Sequence, residues 1–162
     1  LSKAAFYKHY KSKEEIWNTV QDEMEAYYDE HFGSSDNLPP IPKDTDELKM
    51  LTLQMLNFTM HDEKIIIIRK ILLSGQFRDK RICALATKHF HIGLESMFTE
   101  IFKCMVENDV IKKNDPAMLA FVYTAPVSSL VHLCDREPEK ETEIMAKTEA
   151  FIDHFIKIYG NN

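Results

Sequence analysis

Apolar residues recur at helical spacing along most of this chain, and this periodicity limits its fold more than any other feature of the sequence. From residue 13 onward, apolar side chains stand three or four positions apart, which places them on one face of an α-helix. The periodic segments cover residues 13–32, 44–60, 65–75, 79–108, 115–134 and 138–159. Only four glycines and six prolines occur, and all except Gly93 and Pro126 lie outside these segments or at their ends. We therefore predict an all-α fold, with about six helices after a short N-terminal one.

Four consecutive isoleucines, Ile65 to Ile68, are locally ambiguous. Taken alone they favour a β-strand, because β-branched residues pack well in that state. Ile71 and Leu72 nevertheless continue the apolar face at helical spacing, and no other segment has the pattern of a partner strand. We predict a helix here that ends at Gly75.

The first thirteen residues are basic, whereas the rest of the chain is acidic. The basic residues are Lys3, Lys8, Lys11 and Lys13. They give this segment a charge of +4 with no acidic residue, and the net charge of the whole chain is −6. A small basic segment on an acidic body is typical of an end that faces phosphate groups. A solvated basic helix at a chain end is the alternative interpretation.

Ser12 and Glu15 stand three residues apart, in the pattern of a capping box. In that arrangement the serine hydroxyl accepts a hydrogen bond from a backbone N–H of the first helical turn. We therefore predict that a helix begins at Lys13. Its apolar face continues to Phe32, so the helix has roughly twenty residues and a length near 30 Å.

The order of residues across this junction resembles a known DNA-binding motif. With x for unspecified positions, the motif is Leu1-Ser2-Lys3-x-x-Phe6-Tyr7-x-His9-Tyr10-x-Ser12-Lys13-Glu14-Glu15-Ile16. It resembles the end of the helix-turn-helix in the TetR family of bacterial repressors. In that family the segment is the recognition helix followed by the first turn of a long helix.

The resemblance implies how the chain is organised. The family's first two helices would precede Leu1, so we expect residues 1–12 to be the remnant of a helix-turn-helix DNA-binding domain. Residues 13–162 are then expected to form a helical domain that binds an effector and dimerises, in a TetR-like all-α fold.

The resemblance also assigns contacts with double-stranded DNA. It directs three residues toward the major groove: Ser2, Lys3 and Ala5. It puts Tyr7, His9 and Lys13 on or near phosphates, and Lys8 is also expected among the DNA-binding residues. Tyr7 and Lys13 can donate hydrogen bonds to phosphate oxygens, and the helix N-terminus at Lys13 adds its own amides and dipole. The implied function is a transcriptional regulator, most simply a repressor, on a pseudo-palindromic operator.

The interior is rich in adaptable and aromatic side chains, with eight Met, ten Phe, six Tyr and one Trp. Such a composition suits an apolar cavity, although a close-packed core is the alternative for any single residue. TetR-like proteins typically bind small effectors within their helical domain, so the resemblance implies a small, largely apolar effector here. The residues expected to contact it are Met55, Phe58, Phe90, Leu94, Met97 and Tyr123.

The last helix carries apolar residues at alternating spacings of four and three, the pattern of a helix that packs lengthwise on partners. We predict a homodimer in which the last two helices of each copy form a two-fold four-helix bundle. The expected interface residues are Val122, Leu130, Val131, Ile144, Phe151, Phe155 and Ile158.

Signatures of catalysis and metal binding are missing from the sequence. It contains no GxSxG, glycine-rich phosphate loop or HExxH. His89 and His91 are two residues apart, so on a helix they diverge by about 200° and cannot hold one metal ion. The same holds for His132 and Cys134. We therefore expect no catalytic residue, no metal and no cofactor.

Cysteine usage and hydropathy bear on location. Cys83, Cys104 and Cys134 are odd in number and widely spaced, as expected of reduced thiols in a cytoplasmic protein. No continuous apolar run approaches the length of a membrane span, so no membrane contact is expected.

Two functional classes remain open from the sequence. The first is an effector-responsive DNA-binding repressor. The second is a helical small-molecule-binding protein or enzyme with no DNA-binding role, in which the basic N-terminal segment is coincidental.

Overall fold

The computed structural model describes residues 12–32 and 38–161, which fall in two compact units, Leu1–Gly33 and Ser34–Asn162. In the first unit, α1 spans Lys13–Phe32. The helices of the second unit are α2 Thr45–His61, α3 Glu63–Gly75, α4 Lys80–Thr87, α5 Gly93–Glu107, α6 Pro116–Arg136 and α7 Glu141–Tyr159. No β-strand occurs in the described ranges, so the predicted all-α class is confirmed for them.

Aspartate side chains determine where the helices of the second unit begin. Asp44, Asp62, Asp79 and Asp115 immediately precede α2, α3, α4 and α6. Each carboxylate accepts a hydrogen bond from a backbone N–H of the first turn, at 2.7 to 3.1 Å. These N–H groups have no partner within the helix, so the caps satisfy them and fix the helix starts.

The four isoleucines are helical, as predicted. They lie in the first turns of α3, where Ile65 and Ile68 are buried and Ile67 is exposed. The strand preference of β-branched residues is weak, and it is overridden here by the Asp62 cap and by burial of one helix face.

The predicted helix over residues 79–108 is helical throughout, but it is not one regular α-helix. A π-helical turn, Lys88–Ile92, separates α4 from α5. Here the Gly93 N–H bonds to the carbonyl of Lys88, five residues earlier. A Cβ at Gly93 would lie 2.9 Å from that carbonyl oxygen. Gly93 therefore accommodates the chain's own wide turn, and among the described residues no other helix lies within 4 Å of its would-be Cβ.

The last helix also begins later than predicted. Pro138–Lys140 form a short 3₁₀ turn, and α7 starts at Glu141. Its end agrees with the prediction, because Gly160 follows the last helical residue and forms an isolated antiparallel bridge with Ile111.

An aromatic cluster joins α5, α6 and α7 in the core of the second unit. The ring centroid of Tyr123 lies 5.2 Å from Phe98, 5.3 Å from Phe102 and 4.6 Å from Phe155. These separations lie in the range in which aromatic pairs attract beyond their burial alone. Leu48 of α2 belongs to the same buried cluster.

One helix in the described part of the chain, α6, is long and apolar enough to cross a membrane. Its mean hydropathy is 1.6 over an 18-residue window, and 33% of that window is buried inside the protein. This is weak evidence for a membrane span, because the core helix of a helical bundle meets the same criterion. In this chain α6 packs against α5 and α7.

A buried ion pair joins α3 to α6. Arg69 donates to both carboxylate oxygens of Asp135, at 2.5 and 2.8 Å, and also to the carbonyl oxygen of Thr59 at 2.8 Å. Both charged side chains are almost fully removed from solvent. The guanidinium thus ties the end of α2 to α3 and α6, and neither charge is left without a partner.

Removing one member of this pair should be far more damaging than removing both. We expect Arg69→Met or Asp135→Leu alone to lower the free energy of unfolding by about 3–5 kcal/mol, because an unpaired charge stays buried. The double variant R69M/D135L should lower the free energy of unfolding by much less than the two single changes added together. Urea unfolding measures all three.

Lys49→Met is the matched control for this experiment. Lys49 pairs with two carboxylates that are more than half exposed, those of Glu149 and Asp153. Its loss should lower the free energy of unfolding far less than either single variant of the buried pair, because solvent screens an exposed ion pair. A double variant as unstable as the single ones would contradict the assigned role of the pair.

Candidate functional sites

The N-terminus of α1 has the geometry expected of the junction in the sequence motif. The Glu15 N–H donates to the Ser12 hydroxyl at 3.1 Å, and the Ile16 N–H donates to the Ser12 carbonyl at 3.3 Å. The predicted helix start at Lys13 is therefore confirmed. Lys13 itself is exposed.

The helix dipole gives no stabilising role to Lys13. The positive end of the dipole lies at the N-terminus, where acidic residues are favoured and a lysine is not. Glu14 and Glu15 fit that preference, and Lys13 opposes it. The exposed ammonium at this end is therefore available for an external anion. The other residues assigned to DNA contact lie outside the described ranges, so their roles stay predictions: Ser2, Lys3, Ala5, Tyr7, Lys8 and His9.

The six residues predicted to contact an effector do not all meet at one point. Met97 and Tyr123 belong to the buried core cluster, and Met55 and Leu94 pack against it. Phe90 is buried in the π-helical turn, with its ring centroid 5.0 Å from that of His132. Phe58 is half-buried in α2. Four of the six therefore belong to one core cluster or pack against it.

The hydroxyl of Tyr123 is bonded within the protein. It lies 2.7 Å from the Thr52 hydroxyl, and that hydroxyl donates to the Leu48 carbonyl at 2.9 Å. Thr52 has a single hydroxyl proton, so Tyr123 must be the donor in the pair. Burial raises the pKa of Tyr123 well above its usual range, and the Thr52 bond offsets only part of that rise. The phenol is therefore a neutral donor at any physiological pH.

A shallow depression of about 300 Å³ lies on the outer side of α5. It is lined by Ile92, Glu95, Ser96, Thr99 and Glu100. None of these was singled out in the sequence. Two carboxylates and two hydroxyls suit a polar or cationic molecule better than an apolar one, so this depression does not correspond to the predicted apolar site.

The prediction that the last helix exposes its regular apolar face is wrong for part of that face. Ile144 and Phe155 are buried in the core of their own chain, and Phe155 is only 2% exposed. Val131 of α6 is buried as well. The spacing identified an apolar face correctly, but much of that face packs on α6 and α5 of the same chain. These three residues are therefore not available to a partner.

Exposed apolar side chains instead follow one stripe of α6. They are Met118, Phe121, Val122 and Ala125, at spacings of three, one and three. Ile158 of α7 is also exposed, while Leu130 and Phe151 are half-buried. Sequence analysis missed Met118 and Phe121, although the same helical spacing marks them.

Metal binding and disulfide bonding find no support in the described residues. No group of three or more His, Cys, Asp or Glu side chains there is arranged to hold a metal ion. The three cysteines are free. No protein-family model, curated protein or solved structure matches this chain.

The two partners of the buried hydroxyl pair should differ in their effect on stability. Tyr123→Phe removes one hydrogen bond and should cost about 1 kcal/mol, because Thr52 keeps its bond to Leu48. Thr52→Val leaves the Tyr123 O–H buried without an acceptor and should cost more, about 1–3 kcal/mol. Thermal or urea unfolding measures both changes. If Tyr123→Phe proved the more damaging, the assigned direction of the bond would be incorrect.

Proposed function

We propose that this chain is a DNA-binding transcriptional regulator of the TetR type. In this proposal it is a homodimeric repressor that leaves a pseudo-palindromic operator when a small, largely apolar effector binds. The observation that carries the proposal is the motif over Leu1–Ile16, whose Ser12 hydroxyl caps a long helix at the position that the motif requires.

The chemistry at the start of α1 supports this reading. An exposed lysine at a helix N-terminus suits a phosphate oxygen, since both the ammonium and the helix dipole attract the anion. Such contacts orient a protein on duplex DNA but carry no sequence information. Recognition of the DNA base sequence is therefore assigned to the preceding residues of the motif, Ser2, Lys3 and Ala5.

The exposed stripe of α6 supports a homodimer. Met118, Phe121 and Val122 lie on one side of that helix, and a contiguous exposed apolar stripe marks an interaction surface more often than single scattered residues do. Two copies joined about a two-fold axis would cover each other's stripes. The same symmetry is required by a pseudo-palindromic operator.

The effector is assigned to the region around Met97, Tyr123, Met55 and Leu94, which form or border the buried core. An effector releases the DNA only if its affinity differs between the operator-bound and the released states of the protein. A ligand with equal affinity for both states would leave the repressor in place however tightly it bound.

The second candidate function is that of a helical small-molecule-binding protein or enzyme with no DNA-binding role. The self-contained aromatic core of the unit Ser34–Asn162 favours it, since that unit needs no DNA-binding part to bury its apolar residues. Selection from a pool of random duplexes separates the two functions. Protein expressed from its complete coding sequence should enrich pseudo-palindromes with half-sites about 34–36 Å apart. No enrichment over random DNA would refute the proposed function.

Lys13→Ala should weaken binding to every duplex by a similar factor. The plot of log K against log salt concentration has a negative slope. If the Lys13 ammonium contacts one phosphate, the variant should make this slope less steep by about 0.9. Fluorescence anisotropy titrations at several salt concentrations measure the slope. Lys43→Ala is the control, because Lys43 is also exposed but lies outside the motif. Equal slopes for the two variants would remove Lys13 from the DNA contact.

Phe121→Asp should convert the dimer into monomers, because it buries an unpaired carboxylate in the proposed interface. The monomer should keep its fold, since Phe121 is 54% exposed in the single chain. Met50→Asp in α2 is the matched control, with the same 54% exposure. Sedimentation at micromolar concentration should show monomers for F121D and dimers for M50D. A wild-type protein that is monomeric would contradict the dimer itself.

A further inference from the structure

Positive charge is concentrated in two segments of this chain. Residues 1–13 carry +4, and residues 64–88 carry seven Lys or Arg against one Asp, a charge of +6. The whole chain is −6, so all remaining residues together carry −16. The second basic segment covers most of α3, the turn after it and α4. Nothing in the motif over Leu1–Ile16 accounts for it.

Most of this charge lies on the surface. Arg69 is the exception, since it is buried with Asp135. Lys70, Arg78 and Lys80 are exposed, and none of the three makes an ion pair within the described residues. They lie in the last turns of α3, in the α3–α4 turn and at the first position of α4. Because side-chain packing does not engage them, their ammonium and guanidinium groups face solvent.

The one carboxylate in this segment, that of Asp79, caps α4. It accepts hydrogen bonds from the backbone N–H groups of Arg81 and Ile82. At the same turn, Phe77 projects into solvent with 90% of its surface exposed. The α3–α4 turn is therefore a protruding basic site with one aromatic side chain at its tip.

We propose that this basic turn, formed by Lys70, Phe77, Arg78 and Lys80, is a second surface that contacts the phosphate backbone of double-stranded DNA. The inference rests on the proposed function, and it extends the DNA contact beyond the motif at the N-terminus. Arg78 and Lys80 are two residues apart, so their Cα atoms are at most about 7 Å apart, and the ten residues from Lys70 to Lys80 span at most about 36 Å. Duplex DNA carries one charge per about 3.4 Å of each strand, so several phosphates fall within this reach.

Charge and shape favour a duplex over other anionic partners. Stable anchoring to an anionic bilayer takes a large buried apolar area or a lipid chain in addition to basic residues. Here a single aromatic residue, Phe77, lies at the tip of the turn. A duplex requires only a compact set of cations, because its charge density is high and counterions are released when its phosphates are neutralised. The acidic remainder of the chain limits binding to the two basic segments.

The test compares Arg78→Ala/Lys80→Ala with Lys43→Ala/Lys113→Ala. Both double variants remove two exposed cations and change the net charge equally. With protein from the complete coding sequence, anisotropy titrations on the selected operator and on a random duplex give salt slopes for each variant. If each residue contacts one phosphate, R78A/K80A should make the slope of log K against log salt concentration less steep by about 1.8 on both duplexes. K43A/K113A should leave it unchanged, as should Phe77→Ala, which removes no charge.

Each outcome is decisive. Equal slopes for R78A/K80A and wild type, while wild type still binds its operator, would overturn this inference and leave the proposed function intact. If both double variants changed the salt slope equally, the effect would be one of net charge alone, and this inference would also be overturned. If R78A/K80A lost a binding to phosphatidylglycerol vesicles that wild type shows, while its DNA binding was unchanged, the turn would be assigned to a membrane instead. A wild-type protein that binds no duplex would refute the proposed function and this inference together.

Discussion

A single tyrosine in α6 connects the helices of the larger unit. The ring of Tyr123 contacts Phe98 and Phe102 of α5 and Phe155 of α7, while its hydroxyl reaches Thr52 of α2. Apolar contact and one directional bond therefore converge on one side chain. The Thr52 bond is therefore one of the contacts that hold α2 against α6. The bond from Arg69 to the Thr59 carbonyl and the burial of Leu48 are others.

Much of the fold could be predicted, because helices follow from local features. Apolar spacing identified each helix, and the aspartates before α2 and α6 and the serine before α1 are local cap signals. The π-helical turn at Lys88–Ile92 was missed, since one additional residue in a turn hardly disturbs an apolar pattern that already alternates between spacings of three and four. The close approach of Gly93 to the Lys88 carbonyl likewise has no signal in the sequence.

The candidate sites were harder to predict, because periodicity shows that a face is apolar without showing what covers it. Phe155 and Phe121 both stand on apolar faces of their helices, yet Phe155 is buried in its own chain and Phe121 is exposed. The difference arises from how α5, α6 and α7 pack, which depends on contacts between residues distant in the chain. Charge is different in this respect. The basic segments can be counted without any structure, and the structure adds which cations, such as Arg69, are already paired inside.

The position of Tyr123 also bears on how an effector could act. Its hydroxyl proton is donated to Thr52, and its ring is enclosed by aromatic neighbours. A ligand that accepts a hydrogen bond from Tyr123 must therefore compete with Thr52, which belongs to α2. A ligand that displaces Thr52 would bind more tightly to an arrangement in which that contact is already open than to the packed one. Such a difference in affinity between two arrangements is what an effector needs to change the state of a regulator. The buried hydroxyl pair that helps to hold α2 against α6 is thus also a contact that a small molecule at this point would alter.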